Sequence, residues 1–264
     1  MCLIAFAFET QPDVPLIVTA NRDEFYSRPT MPMHWWPSRD ILAGKDLQAG
    51  GTWLGLSRNG RFAAVTNLRS ATLKNNAVSR GSLVTDFLIS YESAKKWIKT
   101  IISSAKNYMG FNLLLYDGNE LLLVNSENRI AKLLGPGVYA LSNADPDMTW
   151  PKVKHARESL TEYLARSADS KVQLEELSIL LSSRKTFDDQ HGSEPGFSPE
   201  QEKLLSSPFI VSDQYGTRNC TAVIASGEKI SVMENCYQRG VLAQTNKYSY
   251  TLSETCGNFR SISE

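Results

Sequence analysis

Four cysteines and three histidines are all that 264 residues hold of the usual soft metal ligands. Cys2, Cys220, Cys236 and Cys256 lie far apart and form no C-x-x-C pair, which excludes a zinc knuckle and a covalent haem attachment. In a chain of this length without a secretion signal, free thiols are expected rather than a disulfide framework. His34, His155 and His191 sit in an aromatic loop, a helix and a polar loop, at no metal-ligand spacing, so no metal is expected. An excess of one charge is missing too. Lys plus Arg and Asp plus Glu both number 28, so no global field draws the protein to nucleic acid or anionic lipid. The apolar run Cys2–Phe8 has no basic leader and meets Glu9 after seven residues, too short for a signal-peptide core or a membrane span. A cytoplasmic location is the expectation. There are no internal repeats, low-complexity tracts or linkers, and a chain 42% hydrophobic and 21% charged fits one folded domain over 1–264.

What is present begins with strands. Residues 1–67 read as strands joined by turns, with Leu16–Ala20 following the turn signal Pro12-Asp13. Asn59-Gly60, between Thr52–Leu56 and Arg61–Asn67, is the strongest short hairpin signal. Leu83, Val84, Phe87, Leu88 and Tyr91 fall at helical spacing, as do Ala94, Trp97, Ile98, Ile101 and Ile102. Strands return at Phe111–Tyr116, Glu120–Asn125, Arg129–Leu134 and Val138–Ser142. A helix opens at Pro151, and another is expected over Val172–Leu181. Residues 185–207 read as a long flexible loop, a lid or a binding element. Strands Phe209–Val211, Cys220–Ala225 and Ile230–Cys236 follow, then a weakly structured tail from 237. Strands and helices are segregated, and several strands are apolar on both faces. That predicts an α+β fold with two stacked antiparallel sheets between helical layers.

Cys2 is the most informative single residue. With Met1 removed it carries both a thiol and an α-amine of pKa about 7.7–8.0, a nucleophile and its own general base. The alternative is a small packed core residue near a chain end. Asn21-Arg22-Asp23-Glu24 follows the second strand directly, and alternation places two of the four on each face. With the first two strands adjacent, Arg22 or Asp23 approaches Cys2. There an arginine favours thiolate, and an aspartate orients the α-ammonium. A solvated turn with a local ion pair is the competing reading. Asn67 and Asn143 end strands and are candidates to hold a substrate carbonyl, or else turn formers. Arg218 can bind a carboxylate, support the asparagine and aspartate groups, or pair with a surface acid. Gly50-Gly51-Thr52 lacks the lysine of a phosphate loop and reads as a turn of close backbone approach.

Met1-Cys2, Ala20-Asn21-Arg22-Asp23-Glu24-Phe25, Arg28-Pro29, Gly51-Thr52-Trp53-Leu54-Gly55, Thr66-Asn67, Leu141-Ser142-Asn143, Trp150-Pro151-Lys152-Val153 and Tyr215-Gly216-Thr217-Arg218 together resemble the NRDE (transport and Golgi organisation) family. The match runs from residue 1 to about 236 in the family's order. That family in turn resembles the cysteine branch of the N-terminal-nucleophile hydrolases, with penicillin V acylase and bile salt hydrolase. The resemblance implies a four-layer α-β-β-α sandwich. It implies Cys2 as nucleophile, Arg22 and Asp23 as its electrostatic partners, Asn67 and Asn143 as the carbonyl-holding pair and Arg218 as a supporting arginine. Two functions follow from it. One is cleavage or transfer of an acyl group at an amide or thioester, needing no cofactor. The other is a non-catalytic carrier of haem, acyl-coenzyme A or another lipid, for which Trp35-Trp36, Trp53 and the 185–207 loop offer apolar cover.

Overall fold

The first two apolar runs pair as a long antiparallel hairpin, β1 (Cys2–Gln11) and β2 (Val14–Phe25). This computed structural model describes residues 1–68, 77–146, 150–167, 171–187 and 198–252. Side chains alternate across the hairpin. Ile4, Phe6, Phe8, Leu16, Val18 and Ala20 join one core cluster, while Leu3, Ala5, Ala7 and Ile17 join another. Both faces are therefore covered, which is why these strands read as continuously apolar.

Two antiparallel sheets carry the fold. One has the order β10 (Gly137–Leu141), β1, β2, β11 (Tyr215–Ser226), β12 (Lys229–Gln238), β13 (Val241–Thr251). The other runs in chain order through β3 (Thr30–Trp35), β4 (Ile41–Asp46), β5 (Leu54–Ser57), β6 (Phe62–Asn67), β7 (Phe111–Tyr116), β8 (Leu121–Asn125) and β9 (Ile130–Leu134). The cluster containing Phe6, Leu16, Leu54, Phe62 and Leu114 fills the space between them. On the outer face of the second sheet lie α1 (Gly81–Ile89) and α2 (Ala94–Ser104), burying Val84, Phe87 and Ile101. On the outer face of the first lie α3 (Pro151–Arg166) and α4 (Leu174–Ile179), burying Ala156, Leu160 and Leu177. The expected four layers, α-β-β-α, are present.

Several local expectations need correction. The tail from 237 is not weakly structured, because 241–251 form β13 on the edge of the first sheet. Its signal is faint because that strand is exposed along most of its length, with only alternate residues such as Tyr248 and Tyr250 packed inward. Within the expected 185–207 loop, Pro199–Leu205 is a helix, α5, closed by a capping box between Ser198 and Gln201. Residues 188–197 of that loop and 253–264 of the tail, including Cys256, lie outside the described residues. Phe209–Val211 contributes one isolated bridge, Val211 to Gly216, rather than a strand. Trp35 and Trp36 are structural and do not form an apolar lid. Trp35 packs into the inter-sheet core against Tyr250, and Trp36, on the opposite face, donates its ring N–H to the Ala43 carbonyl. In a layered sandwich both faces of a strand are inside, so adjacent tryptophans can both be covered.

Candidate active site

The site lies where the ends of the two sheets meet. Cys2 opens β1 and pairs in register with Arg22 on β2. Cys2 has the same parity as Ile4, and Arg22 and Glu24 the same parity as Ala20, so all three face the space between the sheets. Asn21 and Asp23 occupy the other face. Asn21 there donates to the carbonyls of Leu181 and Pro208, both at 2.9 Å, fastening the helical layer to the sheet. The two-and-two division expected of Asn21–Glu24 is thus present. Register, which the sequence leaves open, selects Arg22 as the neighbour of the thiol.

Asn143 fixes the Cys2 main chain. Its Oδ1 accepts from the Cys2 N–H at 3.1 Å, and its Nδ2 donates to the Asn67 carbonyl at 2.7 Å. Ser142 Oγ donates to the Cys2 carbonyl at 2.8 Å. Thr66 Oγ1 in turn donates to the Ser142 carbonyl at 2.6 Å. These bonds tie the start of β1, in the first sheet, to the end of β6, in the second. Asn67 and Asn143, expected as a carbonyl-holding pair, are placed differently. Asn67 is exposed at the wall of the cavity, whereas Asn143 is 1% exposed and spends its amide holding the backbone.

Asp23 acts through both main chain and side chain. Its N–H donates to the Met1 carbonyl at 2.7 Å, and its carbonyl accepts from the Met1 ammonium at 2.5 Å. The same ammonium donates to the Tyr215 hydroxyl at 2.5 Å. The Asp23 carboxylate accepts from Thr217 Oγ1 at 2.7 Å. Burial pushes this carboxyl up, while the chain-terminal ammonium, the buried Lys152 ammonium and the Thr217 hydrogen bond pull it down. Arg218 lies within electrostatic reach of Arg22 and Glu24. Its Nη1 donates to the carbonyls of Phe25 at 3.2 Å and Arg28 at 2.5 Å, clamping the turn after β2.

A cavity of about 380 Å³ opens over Cys2, lined among others by Arg22, Glu24, Arg28, Trp53, Asn67, Arg80 and Glu234. Arg80, just before α1, carries no local sequence signal. Its charge acts on the Cys2 thiol, and burial holds its guanidinium below the usual arginine range. Its position depends on backbone contact between distant glycines. A Cβ on Gly51 would lie 2.6 Å from the Gly81 carbonyl carbon, so the turn of close approach read from Gly50-Gly51-Thr52 is what seats the start of α1. Burial pushes the Cys2 thiol up to about 11, outweighing the lowering effects of the α-ammonium and Arg22. The arginine favours thiolate as expected, but desolvation is larger. A thiol at about 11 is ionised in roughly one molecule in ten thousand at neutral pH, so an adjacent base is needed for attack.

The fold is that of the N-terminal-nucleophile hydrolases. A variant of conjugated bile acid hydrolase from Clostridium perfringens superposes with a TM-score of 0.56, covering 97% of this chain and 99% of its own, at 10% identity. At that identity the likeness is one of fold. The chain belongs to the family described as Transport and Golgi organisation 2, whose profile matches residues 1–239. A Transport and Golgi organization protein 2 homolog from Bos taurus is 30% identical over 249 residues, 86% of this chain and 90% of that protein. The homolog from Homo sapiens is 30% identical over 279 residues, covering 96% and 99% respectively.

Proposed function

We propose that this chain, once Met1 is removed, cleaves or transfers an acyl group at an amide or thioester through Cys2. The observation that carries the reading is the seating of Cys2. Its nitrogen is already directed at Asn143 Oδ1, its thiol faces the cavity beside Arg22, and Asn67 stands at the cavity wall. With Met1 in place that nitrogen belongs to a peptide bond and cannot accept a proton. Once released as an α-amine, it takes the thiol proton. The thiolate attacks the substrate carbonyl carbon, forming a C–S bond and placing the electron pair on the carbonyl oxygen. The Asn67 carboxamide supplies a donor to that oxyanion. The protonated amine then returns its proton to the leaving nitrogen or sulfur as the bond to it breaks. Water, or a second acceptor, attacks the acyl-Cys2 thioester, releasing product and restoring the thiol.

The charged lining of the cavity supports this reading over carriage of haem or a lipid, whose large apolar surface matches an apolar pocket better. Cytoplasmic action is part of the proposal. Among the described residues no helix is long and apolar enough to cross a membrane. The test is intact mass after incubation with an activated acyl ester. Met1-free protein is expected to gain one acyl mass located on Cys2, and Cys2→Ala none. An unmodified Met1-free chain, combined with saturable haem absorbance that persists in Cys2→Ala, sinks the hydrolase reading and installs the carrier.

A further inference from the structure

Arg22 carries an unused donor. The residue is 8% exposed, and its Nη1 is buried with no hydrogen-bond partner among the described residues. Its Nη2 lies 3.7 Å from Glu24 Oε2, longer than a charge-assisted hydrogen bond. A buried guanidinium with an idle N–H is unfavourable unless a ligand completes it. The side chain lines the cavity directly across the strand pair from Cys2. Arg80 lines the same cavity, with Nη1 donating to the Gly110 carbonyl at 3.1 Å.

The geometry points to an anion subsite beside Cys2, in which Arg22 and Arg80 hold a substrate carboxylate close to the bond being cleaved. This rests on the hydrolase reading and narrows its substrate class to amides or thioesters bearing one carboxylate. The acidic groups in the lining favour a carboxylate over a phosphate. Arg28 is committed to Asp46 at 2.7 Å and sits 3.8 Å from Glu24. The Lys45 ammonium lies 5.0 Å from the centre of the Trp36 ring. Glu234 faces the cavity as well, but burial pushes its carboxyl toward the neutral form. Asp23, Glu24 and Glu234 line the cavity beside Arg22, Lys45 and Arg80, so a phosphate dianion meets more carboxylate repulsion there than a monoanion does. A planar carboxylate also matches the two-pronged edge of a guanidinium.

The experiment is calorimetric titration of Cys2→Ala protein, which binds without turnover. The probes are N-hexanoylglycine, with its carboxylate on the amine side, and adipic acid monoamide, with it on the acyl side. Neutral N-hexanoylglycinamide and hexyl phosphate are the comparisons. One of the carboxylates is expected to bind at least about tenfold tighter than the neutral amide, with that preference shrinking to about threefold or less in added Arg80→Gln or Arg22→Met variants. The ligand comparison requires no arginine substitution, so a misfolded Arg22→Met chain leaves the test intact. Equal affinity for charged and neutral amides overturns the subsite. So does tighter binding of hexyl phosphate than of either carboxylate, or no saturation by either carboxylate up to about 10 mM. Carboxylate binding without any acyl-Cys2 in the native chain loses the hydrolase reading and keeps the subsite. Turnover indifferent to the carboxylate does the reverse.

Discussion

Replacing Asn143 with alanine removes a side chain that bonds to the Cys2 N–H in one sheet and the Asn67 carbonyl in the other. The Cys2 N–H loses its acceptor at 3.1 Å in a buried setting, and the Asn67 carbonyl loses its donor at 2.7 Å in a partly buried one. A fully buried orphan group costs about 1–3 kcal/mol, and a part-solvated one falls near the bottom of that range, so the pair amounts to about 2–4 kcal/mol. With a urea slope of about 3 kcal/mol per molar for a chain of this size, the unfolding midpoint drops by about 1 M. Cys2 acylation slows as well, by about tenfold or more, because the thiol is no longer held in attack geometry. Ser142 Oγ reaches both the Cys2 carbonyl at 2.8 Å and Asn143 Oδ1 at 3.2 Å, so Ser142→Ala and Asn143→Ala are expected to be non-additive by about 0.5–1 kcal/mol. A midpoint within about 0.2 M of the parent, at unchanged slope, refutes the assignment of Asn143 as the backbone clip.

Four other outcomes are expected. In protein retaining Met1, Cys2 alkylation by iodoacetamide rises by about tenfold per pH unit without a plateau below about pH 11, whereas Met1-free protein reacts faster near neutrality; identical profiles contradict self-activation. Because the folded thiol titrates at about 11 against an ordinary value of 9.0, its contribution to stability is complete below pH 9 and is lost as pH rises through 11. Urea midpoints across that range check the sign. Gly51→Ala forces a Cβ to within 2.6 Å of the Gly81 backbone and displaces the start of α1; destabilisation of about 1–3 kcal/mol is expected with a fall in acylation rate, and a fully active, fully stable variant removes the seating role. Arg218→Ala frees the turn at Phe25–Arg28 and costs about 1 kcal/mol, while acyl-Cys2 still forms; complete loss of the adduct restores Arg218 to the reacting centre.

The layers were legible because β1, β2, β7 and β8 are apolar on both faces, a pattern that only a covered sheet explains. The strands that escaped notice lack that pattern. β3 mixes Met31, His34 and Trp35 with a proline, and β13 is exposed along most of its length, held by its ladder to β12 and by inward tyrosines. The site divides in the same way. Cys2, Arg22 and Asp23 sit on two strands joined by a short turn, so the adjacency of the strands follows from local sequence while the register that sets Arg22 opposite Cys2 does not. Arg80 and Glu234 carry no local signal. Arg80 is brought in by two glycines 30 residues apart in the chain whose backbones touch, and Glu234 by the pairing of β11 with β12. The contacts of Arg218 were illegible for a related reason. Its strand shifts register against β2 between Thr217 and Asn219, a bulge that gives Arg218 no partner in the ladder between those two. Its guanidinium goes instead to the carbonyls of the Phe25–Arg28 turn. A single inserted residue thus makes Arg218, within electrostatic reach of Arg22 and Glu24, the brace for Arg28, and through the Arg28–Asp46 pair it shapes the cavity wall.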